Sequence, residues 1–396
     1  MMQALKTDRL DRQFNKLFVF TFVAYVFLIE IGESALMDLA YCRIIIKTAI
    51  RISFVSIFTI CAYNLLRGKY TYKELLVGVF IFVPVIVSVY NCKNADVFMC
   101  FVYIFAAKGI NIDKVIKYAL ITMIVAFVVI VLFRIIGVTK EYIYHSVKHG
   151  MLRNRYSFGF GYTCVGTIYY LFIVLLYIYV KKNSFNIVDS LIVMFFNVIL
   201  YLLTFTFNNF FFVVLAVILT FFVKYNKIEV FNKIFAYITI VSAIIGSMLI
   251  CILTVMYASG NSIALRINHI TTGRLKLTLD AIKQYGISII GNDVKFIGGA
   301  AIGTSEYNYV DSMYMQLIIK HGIIVFVIVV VVLTFLSYVA YKKNNKWLLL
   351  CYFIINYHAT FDDRLINITL NPFLMFFLTY LAYSFDKDKV IISDGK

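Results

Sequence analysis

The chain has 396 residues, of which 62% are hydrophobic and 14% are charged, and its formal net charge is +17. This hydrophobic content lies far above the roughly 45–50% apolar residues of a soluble globular domain, which excludes an ordinary soluble enzyme. We attribute much of the positive charge to loops on the cytoplasmic side of a membrane and not to nucleic-acid binding.

Apolar runs of about 17–25 residues recur along the whole chain, which contains only two prolines. Runs of this length span a bilayer as helices, because a helix satisfies its own backbone polar groups in lipid. We therefore predict an all-α, polytopic integral membrane protein with a single transmembrane domain over residues 1–396 and about 12 spanning helices. The predicted helices include residues 17–31, 75–90, 95–107, 115–138, 187–206, 210–223, 234–257 and 314–341.

The distribution of basic residues predicts the orientation of these helices. Lys6, Arg9, Arg12 and Lys16 precede the first helix, whereas the segment after it contains acidic residues and no cation. By the positive-inside rule this places the N-terminus in the cytoplasm, and the later short loops place the C-terminus there as well. Two long loops are then predicted on the outer side, at residues 139–160 and 258–311.

The first outer loop carries Arg153 and Arg155 just before a helix. These side chains could anchor the helix to lipid headgroups, or they could bind phosphate oxygens, which Arg contacts with two parallel hydrogen bonds. His145 and His149 have the spacing of a metal-binding pair on a helix, but no third ligand lies nearby. We therefore predict no metal site.

The second outer loop contains Arg266 and a segment at residues 271–286 that has the pattern of an amphipathic helix. Leu275, Leu279 and Ile282 would form its apolar face, and Gly286 would end it. The helix could lie on the outer leaflet, or it could present Arg274 at its start to an anion. A glycine cluster in this loop, at Gly298, Gly299 and Gly303, forms either a flexible segment or a place where substrate passes close to the backbone.

Asp311 precedes the predicted helix at residues 314–341 and is the best candidate for a general base. A carboxylate in partly dehydrated surroundings can have its pKa raised toward the working range. The alternative role is a helix cap. His358 and Asp362 lie one turn apart in the sequence, next to Asp363 and Arg364, and form either part of a site or a local salt-bridge cluster.

Arg43, Lys47 and Arg51 recur at four-residue intervals, so on a continuous helix they would form one stripe about 12 Å long. The remaining apolar run, residues 52–66, is too short to span a bilayer alone. Arg51 would then lie at the membrane edge, where it either lines a polar cavity or belongs to an interfacial segment.

Several of these stretches carry a resemblance to a known family: the run from Arg153 to Gly161, Thr272-Gly-Arg274, and Asp311-Ser-Met-Tyr314 leading to Lys320-His321-Gly322. In these motifs, and in architecture over nearly the whole chain, the sequence resembles the Wzy-type polysaccharide polymerases. These bacterial proteins of the cytoplasmic membrane join lipid-linked oligosaccharide repeat units for capsule, exopolysaccharide or O-antigen.

The resemblance implies a glycosyltransferase that needs neither metal nor nucleotide. The growing glycan would leave undecaprenyl diphosphate and pass to a hydroxyl of a new lipid-linked repeat unit on the outer face. The implied partners are this lipid-linked oligosaccharide, membrane lipid, a flippase and a chain-length regulator. Asp311 and Arg274 would be catalytic, because an arginine stabilises the charge that develops on the leaving diphosphate. The expected substrate-binding residues are Arg51, Arg153, Arg155, Arg266, Tyr314 and His358.

Two other functions remain open at this point. An O-antigen ligase has a similar layout, but the position that resembles Asp311 is usually His in that family. A flippase would explain a cationic cavity for lipid diphosphates, but it would not explain an outer loop of about 55 residues.

Overall fold

The computed structural model describes residues 2–148, 151–298 and 307–393. Its α-helices and strands are α1 (Met2–Gly32), α2 (Ala40–Leu66), α3 (Tyr72–Cys92), α4 (Asp96–Ala106), α5 (Ile112–Ile135), β1 (Ile143–Lys148), β2 (Met151–Tyr156), α6 (Val165–Lys181), α7 (Ile187–Thr204), α8 (Phe207–Tyr225), α9 (Glu229–Ala258), α10 (Ser262–Ile270), α11 (Arg274–Tyr285), α12 (Met313–Gln316), α13 (Ile323–Lys342), α14 (Lys346–His358) and α15 (Phe376–Ser393).

Among the described residues, nine helices are long and apolar enough to cross a membrane: α1, α2, α3, α5, α6, α7, α8, α9 and α13. Helix α4 and the segment 372–384 are apolar but shorter. The prediction of a polytopic, mainly helical membrane protein is therefore confirmed.

Contacts divide the chain into two compact units. Unit 1 comprises Met1–Thr71, Val102–Lys224 and Ile368–Thr379, and unit 2 comprises Tyr72–Phe101, Tyr225–Asn367 and Tyr380–Lys396. In unit 1, α1 packs against α2 and α5, and α5 packs against α6. In unit 2, α9 is the central helix and packs against α11, α13 and α14.

The first predicted outer loop folds as a β-hairpin, which the all-helical prediction did not include. Strands β1 and β2 pair antiparallel, with Ile143 opposite Tyr156 and Lys148 opposite Met151. His145 therefore lies on a strand, where its Nδ1 atom is 2.9 Å from Oδ1 of Asn154, and not on a helix. His149 itself lies outside the described residues.

The base of the hairpin is closed by Glu141. Its carboxylate accepts hydrogen bonds from the backbone N–H groups of Ser157 and Phe158, at 2.6 and 2.9 Å, and pairs with Nε of Arg134 at 2.7 Å. The chain then crosses the end of α1, where the N–H of Gly161 donates to the carbonyl of Glu33 at 2.8 Å. These contacts attach the hairpin to the end of α5 and to the residue that follows α1, within unit 1.

The predicted continuous helix at residues 314–341 is wrong, because the structure breaks it. The four residues of α12 continue into one π-helical turn, Leu317–His321, and α13 begins only after Gly322, whose φ is +90°. A break frees backbone groups that need other partners in an apolar environment. Asn292 provides two of these partners. Its side-chain amide donates to the carbonyl of Ile319 at 3.1 Å, and its backbone N–H donates to the carbonyl of Lys320 at 3.0 Å.

Gly322 is required at this break. Its φ disfavours any L side chain, and an added Cβ would lie 2.5 Å from the backbone nitrogen of Gly291 and 2.6 Å from the carbonyl oxygen of Ile289. We expect Gly322→Ala to lower the free energy of unfolding by about 2–5 kcal/mol, since backbone strain and overpacking add. Thermal unfolding of the purified protein in detergent measures this. Gly260→Ala is the control, because Gly260 has a similar φ of +75° in open space; equal effects of the two variants would contradict the close-packing argument.

Candidate functional site

Arg274 is positioned by the start of α11. The chain turns into this helix through Gly273, which has a φ of +89° and is its N-cap residue. The helix ends at Gly286 as predicted, but it buries Leu275, Thr278 and Ala281, whereas Leu279 and Ile282 of the predicted apolar face are only half-buried. Because α11 packs against α9, its apolar face belongs to the core of unit 2, and of the two predicted roles the presentation of Arg274 is the one this geometry supports.

Arg274 and Asp311 form an ion pair. Nε of Arg274 lies 3.1 Å from Oδ2 of Asp311, and the two side chains are 28% and 27% exposed. On the same guanidinium, Nη1 donates to the carbonyl of Phe361. A guanidinium has five N–H donors, so three of them have no partner within the described part of the chain. The ion pair and the hydrogen bond thus fix the guanidinium and leave three of its N–H donors open.

Asp311 does not cap the helix that follows it, so the helix-cap alternative is wrong. Ser312 is the N-cap residue of α12, and its side chain accepts from the N–H of Met315 at 3.5 Å. Burial raises the pKa of the Asp311 carboxyl, Arg274 opposes this shift, and the negative charge of Asp363 adds to it. A carboxylate with a raised pKa and no capping role is suited to accept a proton.

The segment that follows α14 contacts the Arg274–Asp311 pair through the carbonyl of Phe361. The N–H of Met313 donates to the carbonyls of Ala359 and Asp362, at 3.1 Å each, which ties the Asp311 end of unit 2 to this segment. Burial raises the pKa of Asp362 well above its usual value, and the charge of Asp363 raises it further. Nε2 of His358 is 3.9 Å from Oδ2 of Asp362, which is too long for a hydrogen bond.

Asp363 connects the segment after α14 to the second predicted outer loop. It accepts a hydrogen bond from the hydroxyl of Tyr309, and one of its oxygens lies 3.3 Å from Nε of Arg364. Gly298 lies against the side chain of Tyr309, where an added Cβ would come within 2.8 Å of Cδ2. This glycine therefore serves close packing, and the other two glycines of the predicted cluster, Gly299 and Gly303, lie outside the described residues.

Two of the residues expected to bind substrate lie in the interior. Tyr314 is fully buried, and its hydroxyl donates to the carbonyl of Asn356 at 2.8 Å. His358 is buried as well, at 2% exposure. As positioned, neither side chain is open to a bound glycan, so we assign both a role in supporting the site.

Arg266 lies apart from the ion pair, on an exposed position of α10. Its side chain forms no hydrogen bond or ion pair among the residues that are described. It is therefore a free cation of unit 2, and its role in binding diphosphate stays a prediction.

Arg153 and Arg155 form a second set of contacts, in unit 1. Nε of Arg155 donates to the carbonyl of Thr204 at 2.8 Å, and the guanidinium of Arg153 lies 5.0 Å from the ring centroid of Phe205. Both arginines thus attach strand β2 to the turn between α7 and α8. These contacts use only some of the N–H donors of the two guanidinium groups. Phosphate binding by the remaining donors stays a prediction.

Arg51 lies on α2, which is continuous from Ala40, so the predicted basic stripe with Arg43 and Lys47 does form. The three side chains are exposed. Arg51 therefore lies on the face of α2 that is not covered by the rest of the described protein. Of the two predicted settings, the structure does not support a polar cavity around Arg51.

The sequence interpretation missed Tyr309 and the backbone of Phe361. Tyr309 stands two residues before Asp311, which is the spacing that could have suggested a shared role. The carbonyl of Phe361 has no signal in the sequence, because any residue supplies one. Within the described ranges, no group of three or more His, Cys, Asp or Glu residues is arranged to hold a metal ion.

Comparison of the chain with models of known protein families, with curated proteins and with solved structures gave no match.

Proposed function

We propose that this protein is a membrane glycosyltransferase that polymerises lipid-linked oligosaccharide repeat units. The observation that carries the proposal is the Arg274–Asp311 pair, in which a cation with open donors is fixed beside a carboxylate whose pKa is raised. Transfer of a glycan from a diphosphate to a hydroxyl requires one group for the departing anion and one for the proton. The pair provides both within one contact distance.

In the proposed step, the hydroxyl oxygen of the acceptor repeat unit attacks the anomeric carbon of the growing glycan. A new C–O bond forms there while the bond to the diphosphate oxygen breaks. The hydroxyl proton passes to a carboxylate oxygen of Asp311. The diphosphate leaves as an anion and takes the electron pair of the broken bond, and the open N–H groups of Arg274 stabilise that charge.

The proposal includes about twelve membrane crossings in the cytoplasmic membrane of a bacterium. The nine long helices would be joined by α4, α14 and the C-terminal helix α15, and the loops at 139–160 and 258–311 would lie outside. Arg51, Arg153, Arg155 and Arg266 remain candidates for binding the two diphosphates. A flippase would deliver the repeat units, and a chain-length regulator would set the polymer size.

The test is the fate of the repeat units in a deletion strain of the source bacterium, complemented with the wild-type gene. We expect single repeat units on the lipid carrier at the outer leaflet and loss of long chains, both reversed by complementation. Long chains that remain on the carrier would instead establish a ligase. Repeat units trapped on the inner leaflet would establish a flippase and rule out the polymerase.

A further inference from the structure

The start of α2 carries exposed basic side chains on an otherwise apolar helix. Arg43, Lys47 and Arg51 lie one turn apart, about 6 Å along the axis. None of them forms an ion pair in the parts of the chain that the structure covers, and the contact found for the group is a 2.8 Å hydrogen bond from Nε of Arg43 to the carbonyl of Met37.

The length of α2 places this stripe at the edge of the membrane. Its other end is marked by Arg67, whose guanidinium lies 5.6 Å from the ring centroid of Tyr63. Crossing the hydrocarbon takes about 20 helical residues, and about 20 residues counted back from Leu66 begin at Lys47. Lys47 therefore lies at the edge of the hydrocarbon, and Arg51 lies about one turn inside it.

The surroundings of the stripe are those of a lipid-facing surface. Ile44, Ile52 and Val55 are exposed by 64, 62 and 67% on the same helix. A cation at this depth is costly unless an anion accompanies it, and the long side chains of Lys and Arg can extend toward the headgroups. The protein supplies no such anion among its described residues, so the membrane is the source that fits.

We propose that Arg43, Lys47 and Arg51 form a binding site for an anionic phospholipid in the leaflet where α2 begins. Arg binds phosphate oxygens with two parallel hydrogen bonds, and three adjacent cations exceed the charge of one phosphate, which favours anionic over zwitterionic headgroups. The acyl chains would lie along Ile44, Ile52 and Val55. This site is an alternative to diphosphate binding by Arg51, but the proposed reaction at Arg274 and Asp311 does not depend on it, so the failure of either proposal leaves the other standing.

The test is lipid binding to the full chain in phosphatidylcholine nanodiscs, titrated with phosphatidylglycerol and followed by native mass spectrometry. Each cation near a membrane surface is worth about fivefold in affinity. We expect Lys47→Gln to weaken binding of phosphatidylglycerol about fivefold, and the triple Gln variant about 100-fold. Arg67→Gln, at the other end of the same helix, is the matched control and should leave it unchanged.

Several outcomes would overturn the site. One is equal retention of phosphatidylglycerol by the triple variant and the wild type, and another is an equal loss in Arg67→Gln, which would indicate general charge attraction. Preferential displacement of the lipid by a polyprenyl diphosphate would assign the stripe to substrate instead. If the triple variant does not fold, the wild type alone decides: a thermal midpoint that is no higher with phosphatidylglycerol than with phosphatidylcholine contradicts the proposal.

Discussion

Replacing Arg274 with Ala is expected to reduce polymer formation by about two to three orders of magnitude. Removal of one preorganised donor to a developing anion costs this much in other enzymes. In this protein the change also leaves Asp311 without its ion-pair partner and the carbonyl of Phe361 without its donor. The measurement is the rate of polymer formation from lipid-linked repeat units by purified protein.

Two further variants distinguish the loss of the guanidinium from the loss of positive charge and from a general effect of substitutions in α11. Arg274→Lys keeps the positive charge, but a single ammonium does not reproduce the planar fork that contacts Asp311 and Phe361 together, so we expect a loss of at least about tenfold. Lys276→Ala removes an exposed cation two residues further along α11 and should leave the rate unchanged. An Arg274→Ala protein that is stable and fully active would remove Arg274 from the mechanism.

The parts of unit 2 that were predictable are those set by local chemistry. The apolar spacing of Leu275 and its neighbours, with Gly286 behind them, is enough to define α11, because one helix face must be buried and the glycine ends the helix. The approximate positions of most long helices follow in the same way from the length of apolar segment that a bilayer requires, but their ends do not, since α1 begins at Met2 and its apolar run only at Leu17. Arg274 and Asp311 were selected from residue type and position, and the structure brings them into contact.

The prediction missed the break at Gly322, although Lys320 and His321 followed by a glycine are a pattern typical of a helix end. The break depends on Asn292, which lies 30 positions earlier and reaches the freed carbonyls only in the folded chain. The contact of Arg274 with Phe361 is likewise a pairing of a side chain with a backbone atom 87 positions away. Such long-range partners are set by how the helices pack, and a single sequence does not contain that information in readable form.

Asp311→Asn is expected to lower the rate of polymer formation by about 10²–10⁴-fold, the usual contribution of a general base. Asn retains the shape and can still accept from Arg274, so the protein should remain folded. In the wild type, Asp311 must be ionised to accept a proton. Because its pKa is raised by burial and by Asp363, activity should increase as the pH rises through that raised pKa.

Asp363→Asn provides the sharper test, because it changes the charge beside the base without touching the base. The loss of a neighbouring negative charge makes ionisation of Asp311 easier, so its pKa falls and the rise in activity moves to lower pH. Asn can still accept from Tyr309, which preserves that contact. Asp293→Asn is the control, since Asp293 is exposed and pairs with Lys93 at 3.0 Å. A pH profile that shifts equally in both variants, or in neither, would mean that Asp311 is not the group whose ionisation the rate follows.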